Sequence, residues 1–208
     1  MGWSFFSKPP GAFFFNGRRL TPDEFGAVIF MLVSQHSIED VKQLLGLGTE
    51  SAGGDSLFGR MASAPRLVQY QVVAMQCAVD LVIACSRPGV TDDVRSEVEK
   101  GLLEQVARAV DGPEAKVIAE GIALYAHAFA IELAAPPSDS DVVDVAPRQA
   151  AAVFYDVVSK QYGKANAMSG LSELSPSVLD EAVIAQWVAA VGTARMRAAD
   201  HFGLRYGA

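Results

Sequence analysis

The twenty residues from Arg66 to Cys85, RLVQYQVVAMQCAVDLVIAC, decide how this chain folds. At ~1.5 Å rise per residue they make a helix about 30 Å long, enough to cross a domain of this size. On a helical wheel Gln69, Gln76 and Asp80 share one narrow stripe and Gln71 stands alone. Every other direction presents Leu, Val, Ile, Met, Cys, Tyr or Ala. A helix apolar nearly all round must be enclosed by other elements. The rest of the 208 residues are therefore read as the wall around it.

Working outward from its C-terminal end, Arg87-Pro88-Gly89 stops the central helix, and Thr91 caps the next one, Asp92 to Val110. Val94, Val98, Leu102, Val106, Ala109 and Val110 line one side of this second helix, while Arg95, Glu97, Glu99, Lys100, Glu104 and Arg108 cover the rest. That pattern belongs to a surface helix. Asp111-Gly112-Pro113 turns the chain into another mostly apolar helix, Glu114 to Ala134. Residues 135–147, APPSDSDVVDVAP, read as an acidic, proline-bounded linker. Asp139, Asp141 and Asp144 lack the Gly and terminal Glu of a calcium loop. A helix from Pro147 to about Tyr162 follows, then a loop through GKANAMSGLSEL. Ser175-Pro176 opens a last long helix to about Phe202, with Val183, Ile184, Trp187, Val191, Ala194 and Ala198 on its inner side.

On the N-terminal side, residues 46–64 hold five glycines but no Gly-Lys-Ser/Thr and no preceding strand, so neither nucleotide-binding fingerprint is present. This stretch reads as a flexible connecting loop. Before it, Thr21, Pro22 and Glu24 form a capping box that opens a helix with Phe25, Val28, Ile29, Leu32 and Val33 at helical spacing. Ser37 with Asp40 repeats the start signal, which predicts a break near His36 and a short helix from Ile38 to Leu45, ended by Gly46. Residues 1–20 are not helical in pattern. Trp3, Phe5, Phe6, Phe13, Phe14 and Phe15 crowd around Pro9, Pro10 and Gly11, and Asn16-Gly17 between FFF and RRL signals a tight turn needing positive φ at both residues. The expectation is an all-α, multi-helix bundle of about seven helices around the buried central one. A short N-terminal β-hairpin or extended aromatic arm (1–20) precedes the single helical domain (21–208).

A net charge of −7 makes nucleic acid an unfavourable partner, since a phosphate-binding surface needs a cationic patch. Three Gln and an Asp in the central run, and Lys116, Glu120, His127 and Glu132 in the 114–134 helix, cost too much in hydrocarbon for membrane spans. Cys77 and Cys85 lie about 12 Å apart along one helix and cannot bridge each other. The first residues lack signal-peptide order, and these two features together point to the cytoplasm. There is no G-x-S-x-G, and neither cysteine has a histidine near it in sequence. No cofactor is implied.

Two functional readings follow. In the first, the chain is a non-catalytic helical interaction protein, an adaptor, chaperone-like or regulatory protein that associates with a protein partner or with a second copy. Its contact residues are Trp3, Phe5, Phe6, Phe13, Phe14 and Phe15, and the mean hydropathy of +0.22 is high for a soluble monomer. The charge repels anionic lipid, so a membrane surface is the less favoured partner for those aromatics. In the second, the polar stripes of the 66–85 and 114–134 helices face each other, and Asp80, Glu120 and His127 form a metal or proton-transfer site of a helical enzyme or ligand-binding bundle. The Glu-x-x-His pair of di-iron bundles is absent. An exposed Lys116–Glu120 ion pair and a satisfied polar network around Gln69, Gln76 and Asp80 account for the same residues without chemistry.

Overall fold

A computed structural model describes residues 12–44, 63–87, 89–134, 148–169, 185–186, 188 and 205–207. Among them are two adjoining strands, β1 (Ala12–Phe15) and β2 (Arg18–Leu20), and the helices α1 (Pro22–Leu44), α2 (Ser63–Cys85), α3 (Asp92–Ala109), α4 (Pro113–Ala134) and α5 (Arg148–Ser169). A last short strand is β3 (Arg205–Gly207). The described part is thus mostly helical, with an antiparallel hairpin at its N-terminal end.

The hairpin closes as its sequence dictates. Asn16 and Gly17 take φ values of 49° and 77°, so the two-residue turn matches the twist of the strands it joins, and Phe15 faces Arg18 across it. β1 is the middle strand, because β3 pairs along its other edge with Phe13 opposite Tyr206 and Phe14 opposite Arg205. This third strand has no counterpart in the sequence reading, which ended its last helix near Phe202. Three residues are too few to show a period. Phe13 is buried, and its ring stacks on Phe25 of α1 with centroids 4.2 Å apart, an arrangement worth ~0.5–1.5 kcal/mol beyond area burial. The exposed Arg18–Glu24 ion pair (3.2 Å) ties β2 to the same helix; in water such a pair contributes only about 0–1 kcal/mol.

The helix starts also follow the local signals. At α1 the Thr21 amide donates to Glu24 Oε2 (3.0 Å) while the Glu24 amide donates to Thr21 Oγ1 (3.4 Å), a reciprocal box satisfying two otherwise orphaned donors. At α3 the Val94 amide donates to Thr91 Oγ1 (3.4 Å). Gly89 and Gly112, at φ 92° and 67°, supply the left-handed positions that turn the chain before α3 and α4.

Two boundaries differ from expectation. α1 continues unbroken through His36 to Leu44, so no separate helix begins at Ile38. A serine inside a helix loses only about 0.5 kcal/mol against alanine, less than restarting a helix requires. α5 runs on through Gly163 to Ser169 instead of stopping at Tyr162. There Lys164, Ala165, Ala167 and Met168 are good helix formers, and one interior glycine costs about 1 kcal/mol. Of the last expected helix, Ala185, Gln186 and Val188 are helical and Val188 is fully buried. Its remainder lies outside the described residues, as do the 46–62 part of the glycine-rich loop and the acidic linker 135–147.

α2 packs against α1, α4 and α5, and α1 lies along α3. Every residue from Gln71 to Val79 is buried. The stretch Val68–Cys85 is long and apolar enough to span a membrane by composition, yet 67% of it is covered by the fold itself. The α1–α3 crossing depends on two glycines. A Cβ on Gly26 would overlap the Val98 carbonyl and stand 2.6 Å from the Leu102 amide nitrogen, and one on Gly101 would overlap the carbonyl of Asp23. The obstacles are backbone, which cannot rotate away as a side-chain tip can.

In an open helix a Gly→Ala change stabilises by roughly 0.5–1 kcal/mol. Here the sign reverses. Gly26→Ala and Gly101→Ala are each expected to lower stability by ~1–3 kcal/mol, read as a fall in urea midpoint. A neutral or stabilising result at both positions would show that the helices do not meet this closely.

Candidate functional site

The polar stripe foreseen on α4 faces water. Lys116 and Glu120 form an exposed i,i+4 pair (3.7 Å), and His127 is exposed about two turns further on. The face that α4 turns inward is instead Ile118, Gly121, Ile122, Tyr125 and Phe129, all buried. Asp80 is half-buried on α2, whereas Glu120 and His127 are exposed on α4. Among the described residues no three His, Cys, Asp or Glu side chains come together as a metal site would need.

The contact that does join the two helices involves the glutamine outside the stripe. Tyr125 is fully buried, and its hydroxyl donates to Gln71 Oε1 at 2.5 Å. Gly121, one turn before Tyr125, makes room: a Cβ there would lie 2.8 Å from the Cβ of Ala74 and 3.3 Å from Gln71 Oε1. The Tyr125 ring also leans on Phe154 of α5, with centroids 5.6 Å apart and planes at 51°. One side chain thus links three helices. The signal in the sequence was Gln71 itself, since a lone amide on an otherwise apolar helix flank must find a partner inside. Nothing in the sequence told which helix would supply it.

Chemically this is a lock. Burial pushes the Tyr125 hydroxyl well above its ordinary range, so it stays neutral and hydrogen-bonded rather than exchanging protons near neutral pH. The thiol at Cys85 is likewise pushed up, to about 11, mainly by burial; Arg95 pulls it down and Glu99 adds to the rise. At neutral pH it is a protonated packer and a poor nucleophile. Cys77 is buried in the core.

Of the six aromatics read as contact residues, Trp3, Phe5 and Phe6 lie outside the described residues. Phe13 is taken up by the fold, Phe14 is half-buried, and Phe15 is half-buried against the core. Among the described residues, the large apolar side chains that remain exposed are Met31 of α1 and three on α4: Leu124, Ile131 and Leu133, at 43%, 46% and 47%. Ala123, His127 and Ala134 lie exposed among the latter. Sequence reasoning took α4 as a mostly apolar, buried helix whose open side was polar, and missed the exposed Leu124 and Ile131, because the helical pattern is weak when both the buried and the open faces are apolar. No protein-family model matches the chain, and neither a curated protein nor a solved structure matches it.

Tyr125→Phe is expected to cost ~1–3 kcal/mol by leaving the Gln71 amide buried without its donor, and adding Gln71→Leu should recover part of that loss. The alkaline behaviour follows from linkage. An unfolded tyrosine ionises near ~10, whereas the folded pKa is raised, so the folded chain binds more protons above that point. Stability is full below about pH 10 and falls as pH rises beyond it. Urea midpoints measured from pH 8 to 11 should fall more steeply for the native chain than for Tyr125→Phe. Equal slopes would mean Tyr125 is not buried as described. For Cys85, alkylation of the native chain at pH 8 should be much slower than in urea and should rise as pH approaches 11.

Proposed function

We propose that this chain is a non-catalytic helical interaction protein that associates with a second copy of itself through the outer face of α4, and acts in the cytoplasm as an adaptor or regulatory partner. The observation that carries this reading is the pair of exposed apolar side chains Leu124 and Ile131, seven residues and so about two turns apart on one face of α4. Single exposed hydrophobics are ordinary on any protein surface, but two aligned on one helix face, with the small Ala123 and Ala134 exposed near them, favour burial against a partner.

Charge supports a second copy as the occupant. From Gly121 to Ile131 the sequence contains no Asp, Glu, Lys or Arg, in a chain of net charge −7. Two such chains repel each other least where their contact faces carry no charge. The interior argues against catalysis: the Tyr125–Gln71 bond and the close approach at Gly121 occupy the place between α2 and α4 where the alternative site was expected. Trp3, Phe5 and Phe6 remain candidates to extend the contact.

Light scattering of the purified chain over a range of concentrations tests the proposal. A dimer is expected, and Leu124→Glu with Ile131→Glu should shift it to monomer while leaving the far-ultraviolet circular dichroism unchanged. A chain that is monomeric at all concentrations would overturn it. The aromatic arm is tested by Trp3→Ser, Phe5→Ser and Phe6→Ser together rather than by deleting residues 1–20, because that deletion would also remove Phe13 from the core.

A further inference from the structure

We draw no further inference here: the strongest candidate, the surface patch of the three-stranded sheet where the register sets Arg19 of β2 and Arg205 of β3 on either side of Phe14, carries nothing, because nothing in the structure shows what covers it.

Discussion

The enclosure of α2 governs the rest of this structure. Side chains such as Val72, Met75 and Leu81 are buried on it, each worth roughly 1.5–3 kcal/mol relative to exposure. Those gains require α1, α4 and α5 to close around one helix without gaps. The same enclosure withdraws Gln71 and Gln76 from water, and a buried amide left without a partner would offset about 1–3 kcal/mol. The bond from Tyr125 removes that penalty for Gln71 and at the same time fixes the register of α4 on α2. An aliphatic side chain at position 71 would pack as well but would let α4 slide; the hydrogen bond has one geometry.

Close packing of this kind needs small residues where helices cross, and the chain places glycine at three such points. Gly26 and Gly101 lie on the two partners of the α1–α3 contact, and Gly121 lies against Ala74 between α4 and α2. With no Cβ on either side, α1 and α3 meet backbone to backbone, so neither can rotate without collision. That rigidity carries to the hairpin, because Phe25, one residue before Gly26, is the surface on which Phe13 stacks. The N-terminal sheet thus rests on α1 one residue away from the helix crossing.

How much of this was legible in the sequence depended on the range of the interaction that decides each feature. Asn16-Gly17, the Thr21/Glu24 box and the Thr91 cap are settled within four residues, and all three appear as read. The burial of α2 was legible because composition alone left it no wet side. Signals that a longer helix can override misled: Ser37 with Asp40 did not interrupt α1, and Gly163 did not end α5. Features fixed by distant partners were out of reach. The pairing of β1 with β3 joins residues near opposite ends of the chain, and the choice between the two faces of α4 turned on Gly121, a residue that reads locally as a mere weakness in a helix.

The α4 faces also explain which of the two readings of its polar stripe, buried site or exposed ion pair, the packing favours. Lys116, Glu120 and His127 align on one side of the helix, and alignment suggests a shared task. Yet a helix whose other side is needed against α2 has no choice about where its charges go, and the ion pair is what remains when they are turned to solvent. The informative surface is the apolar one beside them. Charge on the first two turns of α4 gives way to a run from Gly121 to Ile131 with no Asp, Glu, Lys or Arg, and screening confines repulsion to about 8–10 Å at physiological salt. A copy approaching along Leu124 and Ile131 therefore meets little of the acidic character of the whole, which is the physical sense in which this strip suits self-association better than any charged face of α3.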